Sequence, residues 1–216
     1  MIGMYPEFYE KLVVGEAKYT DPEAVEVMQL WKSMHDSGYF AEPEDFNNEV
    51  AASMMAGKFA MYLKGTWYAS LLEGAGMVAG EDYSAFDLPS VNSSNGHTII
   101  SEVTPFLVSE NSRNKDNAIK ALSALTKKEA HEKWLTLYGG LPIRQDVAPS
   151  HPVMKKVADD IGSSNYKLYT RFWEATPSEL SEYASNEFVR FILNPESYME
   201  VLENIEKKAE RYWADN

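Results

Sequence analysis

Helix-forming segments far outnumber strand-forming ones along this chain, and that shortage of strands limits the fold more than any motif does. Thr20-Asp21-Pro22 offers capping side chains followed by proline at the first helical position. The residues after it place Ala24, Val27, Met28, Trp31, Met34 and His35 on one face before Gly38, which predicts a helix over 22–37. Phe46, Val50 and Met54 at four-residue spacing predict another over about 45–56, and 67–78 reads as a third. From residue 113 the pattern is helical almost throughout. Asn114 is expected to cap a helix holding Ala118, Ile119, Ala121, Leu122 and Leu125, and a short helix carries Ala130, Trp134 and Leu137. Helices are further expected at 151–161, 165–174 and 177–193. The last one starts at Asn194-Pro195 and keeps Tyr198, Leu202, Ile205, Ala209 and Tyr212 in register. Against these stand three short extended runs: 59–63, Phe86-Asp-Leu-Pro89 and Thr98–Val108, the last broken at Pro105, which cannot donate to a ladder. That is too few strands for a parallel sheet covered on both faces, so the chain reads as part of a helix-rich α/β lobe.

At 216 residues the chain can build one sizeable core or two small ones. Its net charge is −13, from 33 acidic against 20 basic residues, with no Lys/Arg cluster. A phosphate backbone would be repelled over most of such a surface, which argues against nucleic acid as a partner. The absence of cysteine removes disulfides, thiolate chemistry, Fe–S clusters and Cys-based zinc sites, but leaves the compartment open. Met1-Ile-Gly-Met-Tyr-Pro6 lacks the regions of a signal peptide, and no apolar run reaches 18 residues.

Catalytic motifs are scarce. Gly74-Ala-Gly76-Met-Val-Ala-Gly80 looks like a dinucleotide fingerprint, but its glycines close a helix where the fingerprint would open one. His35, His97, His131 and His151 are scattered, and acidic pairs such as Glu44-Asp45, Glu81-Asp82 and Asp159-Asp160 read as solvated surface. Asn92-Ser-Ser is a formal glycosylation sequon. No cofactor is implied. The segment that stands out is Gly57-Lys-Phe-Ala-Met-Tyr-Leu-Lys-Gly-Thr-Trp67: a turn, a short apolar strand, a second glycine turn, then a tryptophan where a helix begins. A tryptophan there is poorly placed to fill a core and well placed to line a cleft. Trp67 therefore has two readings, a binding surface and a packed side chain. Trp31 and Trp134 fall on apolar helical faces and are expected in the core. Trp173, before Glu-Ala-Thr-Pro177, marks a helix-to-helix corner, with corner packing weighed slightly ahead of binding.

The order of features carries more than any one of them. Leu12-Val-Val-Gly-Glu-Ala-Lys-Tyr-Thr-Asp-Pro22 leads into a helix ending Asp36-Ser-Gly-Tyr-Phe40. Then come Met54-Met-Ala-Gly-Lys-Phe through Gly65-Thr-Trp67, Phe86-Asp-Leu-Pro89, Ser109-Glu-Asn-Ser-Arg-Asn-Lys-Asp-Asn-Ala-Ile-Lys-Ala-Leu122 and Tyr138-Gly-Gly-Leu-Pro-Ile-Arg-Gln-Asp146. Over nearly its whole length this resembles the extracellular solute-binding proteins of ABC importers, specifically the family 1, sugar-binding type.

The resemblance implies a non-catalytic protein of two α/β lobes joined by a hinge, which captures a mono- or oligosaccharide between them and delivers it to ABC permease subunits. It implies that residues 1–103 and 149–216 are the C-terminal lobe of a type II periplasmic-binding-protein-like fold. Residues 104–148 would cross the hinge to an N-terminal lobe that lies outside this sequence. Without that lobe, impaired binding, exposed apolar surface and self-association are expected, and the whole protein would be extracytoplasmic. By the same resemblance the ligand-binding residues are Gly65 and Trp67, whose ring would stack on a sugar, Glu102 and Thr104 at the first crossing, and Tyr138, Gly139 and Gly140 near the return. Trp173, Tyr183 and Asn186 join them, with Asn186 standing where the family often has an aromatic. Two other readings stay open: a carbohydrate-active hydrolase or lyase using a carboxylate pair, and a helical interaction module whose aromatics are all core.

Overall fold

The computed structural model describes residues 1–41, 49–102, 105–138, 140–163 and 166–215. In chain order its elements are α1 (Pro6–Val13), α2 (Pro22–Asp36), α3 (Glu49–Met55), α4 (Tyr68–Gly74), β1 (His97–Ser101), α5 (Lys115–Leu125) and α6 (Lys128–Tyr138). They continue with α7 (Pro152–Ser163), β2 (Tyr166–Thr170), α8 (Phe172–Ala175), α9 (Ser178–Leu193) and α10 (Tyr198–Asp215). The chain folds into two compact units and passes between them repeatedly. One comprises Met1–Ala41, Leu88–Glu102 and Tyr166–Asn216, the other Glu42–Asp87 and Val103–Asn165.

The first unit is built on α2, α9 and α10. Val201, Leu202, Ile205 and Ala209 follow helical spacing along α10 and meet Leu180, Ala184 and Phe191 of α9 and Ala24 and Met28 of α2. Trp31 lies against Phe191 with ring centroids 4.8 Å apart, the core position expected of it. A close approach requires glycine at position 15: its φ is +80°, and a β-carbon there would fall 2.6 Å from the Trp213 indole. The same unit holds the parallel pair β1–β2, in register from His97↔Tyr166 to Ser101↔Thr170. Tyr9 ties the end of this pair down. Its hydroxyl donates to the Thr170 carbonyl at 2.5 Å, and its ring stands edge-on to Tyr169.

The second unit gathers Val50 and Ala51 of α3, Tyr68, Ala69 and Leu72 of α4, Tyr83, and Val153 and Met154 of α7. On α6, Leu135 and His131 are buried, and His131 Nε2 accepts from the Ile143 backbone N–H at 3.2 Å. That bond pins the loop after the glycine pair. α5 contributes no buried residue.

Several expectations need correction. Residues 59–63 form no strand. Phe59 and Tyr62 pack on the α3–α4–α7 core, Met61 and Leu63 face solvent, and among the described residues no strand pairs with this segment. Residues 86–89 form no strand either, and Phe86 and Leu88 are exposed. Of the extended run expected over 98–108, β1 covers residues up to Ser101, and none of the run's described residues beyond it is in a strand. The helix expected over 165–174 is instead β2 followed by the single turn α8. Tyr166, Leu168, Tyr169 and Thr170 favour extended backbone, and β1 supplies the partner. The helix from 67 ends at Gly74, and the glycines after it form turns as expected, Gly76 and Gly80 at positive φ. Asn114 precedes α5 without a side-chain capping bond. Trp134 is not core: it is 42% exposed and stands edge-on to Phe106. Half of the helix expected over 45–56 is seen as α3; residues 42–48 lie outside those described.

Candidate binding site

The Gly-x-Trp spacing has a direct physical cause. The chain turns at Gly65, with the Tyr68 N–H donating to the Gly65 carbonyl at 3.0 Å and the Ala69 N–H to the Thr66 carbonyl at 3.2 Å. This turn folds the Trp67 indole back over Gly65. A β-carbon at position 65 would lie 2.5 Å from Nε1 and 2.8 Å from Cδ1, so the position must be glycine for the ring to lie there. Trp67 occupies the residue before the first turn of α4, and its carbonyl accepts from the Ser70 hydroxyl at 2.9 Å.

The half-buried indole stands edge-on to Tyr68, centroids 5.8 Å apart, and Tyr68 in turn packs edge-on against Tyr62 at 5.2 Å. The Lys64 ammonium lies 5.3 Å from the Trp67 ring and 5.5 Å from the Tyr62 ring, a cation held on π faces. Burial raises the phenol pKa of Tyr62 and Tyr68, and the Tyr68 hydroxyl has no hydrogen-bond partner among the described residues. Part of the ring packs against the α3–α4–α7 core, and part stays open.

Other candidates fall in the same unit. Gly140 is half-buried, and the next residue, Leu141, packs on the cluster that holds Trp67. Tyr138 is the last residue of α6; its side chain, and Thr104 and Gly139, lie outside the described residues.

In the first unit the carboxyl ends of β1 and β2 are level, and Glu102 and Arg171 follow directly on them. The Arg171 backbone N–H donates to the Ser101 carbonyl at 3.1 Å, extending the ladder by one bond. Its guanidinium Nη1 meets Glu102 Oε2 at 3.1 Å, while Nε donates to Glu174 Oε2 at 2.8 Å and Nη2 to Glu174 Oε1. That hydrogen-bonded guanidinium holds the Glu174 carboxyl below the usual range. Trp173, 49% exposed, lies on the intervening turn of helix.

Tyr183 is half-buried and Asn186 exposed on α9, whose buried face is Leu180, Ser181, Ala184, Glu187 and Phe191. Among the described residues no hydrogen bond or ring contact joins either to Trp173 or Glu102. Arg171 and Lys64 are the residues that sequence reasoning passed over. Reading Tyr166-Lys-Leu-Tyr-Thr170 as a strand would have placed Arg171 at a strand's carboxyl end, where ligands of α/β folds gather.

Residues 8–161 match the family of bacterial extracellular solute-binding proteins, and the chain belongs to that family. It is similar to an uncharacterized ABC transporter extracellular-binding protein of Pyrococcus horikoshii, 24% identical over 173 residues, covering 75% of this chain and 36% of that protein. Among solved structures, a chitin oligosaccharide binding protein superimposes with a TM-score of 0.81 at 18% identity, over 97% of this chain and 54% of the other. The likeness establishes the fold, a helix-rich α/β arrangement of the periplasmic-binding-protein kind. The chain spans about half the length of that solved protein and about a third of the Pyrococcus relative.

Proposed function

We propose that this chain supplies part of the sugar-holding surface of an ABC importer's solute-binding protein, with Trp67 as the principal stacking platform. The observation that carries the reading is the indole folded over Gly65, half open at the start of α4. A pyranose has an apolar C–H face and polar edges, which suits a flat aromatic face flanked by hydrogen-bonding groups. Membership of the extracellular solute-binding family supports the binding class. The Pyrococcus relative and the chitin oligosaccharide binding protein favour an importer and a saccharide respectively.

In the complete protein the ligand lies in a cleft between two lobes that close about a hinge, and the closed form docks on a membrane permease outside the cytoplasm. The assignment of residues 1–103 and 149–216 to the C-terminal lobe and 104–148 to a hinge-crossing segment is part of this proposal. So are the ligand-binding roles of Gly65, Glu102, Thr104, Tyr138, Gly139, Gly140, Trp173, Tyr183 and Asn186. Glu102 and Glu174 share one guanidinium, an arrangement that suits hydrogen-bond acceptors better than a proton-donating carboxyl.

Calorimetric titration with soluble chitin oligosaccharides and with maltose tests the reading. Trp67→Ala is expected to lose about 2 kcal/mol of saccharide affinity. Equal affinity in the altered and unaltered chains would remove Trp67 from the site. Absence of saccharide binding by the complete two-lobed protein would overturn the reading itself.

A further inference from the structure

We propose that Arg171 is a positioning residue that holds the Glu102 carboxylate at the paired strand ends for hydrogen bonding to a saccharide beside Trp173. The inference rests on the saccharide reading above and adds to it a residue and a mechanism.

The geometry is that of a clamp. Both carboxylates, Glu102 and Glu174, converge on one guanidinium from two sides. Glu174, three residues along the chain and one turn of α8 away, takes Nε and Nη2 in a forked pair. That pair fixes the plane of the guanidinium, because the fork is rigid and matches a carboxylate. Nη1 is left to hold Glu102. The backbone adds a fourth restraint, since Arg171 N–H donates to Ser101, the residue just before Glu102. Tyr9 holds the other strand at Thr170, the residue just before Arg171. Glu102 and Arg171 thus both sit directly on the last rungs of the β1–β2 ladder, with Glu174 fixing the guanidinium from α8.

Stability alone is a weak reason for this arrangement. The Arg171 and Glu102 side chains are 40% and 36% exposed, and ion pairs at such exposure contribute little to folding. Their accessibility is what a binding role needs. One Glu102 oxygen faces the arginine, and a carboxylate has acceptor capacity beyond one bond, so it can take a hydrogen bond from a hydroxyl while the clamp holds. The exposed indole of Trp173, two residues past Arg171, offers an apolar face in the same short segment. An acceptor held in place and an aromatic face are complementary to the edge and the face of a sugar ring.

The test is calorimetric titration with soluble chitin oligosaccharides, and with maltose as a second probe, on the complete two-lobed protein in its unaltered form and as Arg171→Met, Arg171→Lys, Glu102→Gln and the Arg171→Met/Glu102→Gln double variant. Melting temperature is measured alongside. Roughly tenfold weaker binding is expected for Arg171→Met and for Glu102→Gln. The double variant should be no weaker than the weaker single one, because the arginine acts through the glutamate. Arg171→Lys keeps the charge without the fork and should fall between Met and the unaltered chain. If Arg171→Met unfolds the chain, Arg171→Lys combined with Glu102→Gln completes the same cycle. Unweakened binding on loss of the arginine, or losses that simply add, would overturn the clamp and leave the saccharide reading standing. No saccharide binding by the unaltered two-lobed protein would overturn both.

Discussion

α10 and α5 are both amphipathic by sequence, yet one is the centre of a core and the other buries nothing. In α10, Val201, Leu202, Ile205 and Ala209 are closed in by α2 and α9. In α5, Ala118, Ile119, Leu122 and Leu125 keep the same spacing, but Ile119 and Leu125 are 47% and 44% exposed. Around α5 the contrast continues: Phe106, Leu107 and Leu137 are exposed as well. An apolar stripe at helical spacing is a demand for a partner face, and the stripe itself does not say whether that face is present. Burial depends on what another part of the chain brings to it.

The sharpest way to break this contrast is truncation in the core that encloses α10 and in α5 itself. Phe191→Ala removes a ring that is 1% exposed between α2, α9 and α10, and should lower unfolding free energy by about 3–5 kcal/mol in urea titration. A loss below about 1 kcal/mol would mean that this core is loose. Gly65→Ala comes next. Its new methyl would drive into the Trp67 indole, and displacing a packed ring should cost about 1–3 kcal/mol, with a change in tryptophan fluorescence. Unchanged fluorescence would show that the ring does not lie on Gly65. Ile119→Ala is expected to change stability by less than about 0.5 kcal/mol. A core-sized loss there would show that the α5 stripe is covered in solution.

The smallest effect is a pH dependence inside the well-packed unit. Glu206 is buried and accepts from the Tyr19 backbone N–H at 2.7 Å. Desolvation raises its pKa above the ordinary 4.5, outweighing that bond and the nearby Lys18, while Glu210 and Asp21 push the same way as burial. The folded state therefore holds this proton more tightly than the unfolded one. The resulting contribution is fully present below 4.5 and is lost as pH rises through the folded value. Glu206→Gln should flatten that part of the melting-temperature profile from mildly acidic to neutral pH. An unchanged profile would assign the dependence to other groups.

Much of the fold was legible because helices announce themselves locally. The α2 start at Pro22, the α9 and α10 spacing and the helix-closing glycines after Gly74 all follow from residues within one or two turns of each other. So does the placement of Trp67 before α4, which needed only the Gly-x-Trp turn. Strands were less legible. Residues 59–63 and 166–170 both carry aromatic and apolar residues suited to extended backbone. The second became a strand because β1 lies beside it, and the first has no such neighbour among the described residues. For the site, residue types pointed to Trp67 and Trp173, while the link from Arg171 to Glu102 spans 69 positions and depends on that strand pairing.

What this sequence determined by itself is the helix-rich class, the helix boundaries set by Pro and Gly, and the presence of a tryptophan on a glycine turn, because each rests on short-range sterics and spacing. Only the tertiary structure decided which apolar stripes are buried, that Trp134 stands open, that 166–170 is a strand and that Arg171 meets two carboxylates. Those outcomes depend on contacts between residues far apart in the chain, and no local pattern encodes the partner that a side chain will find.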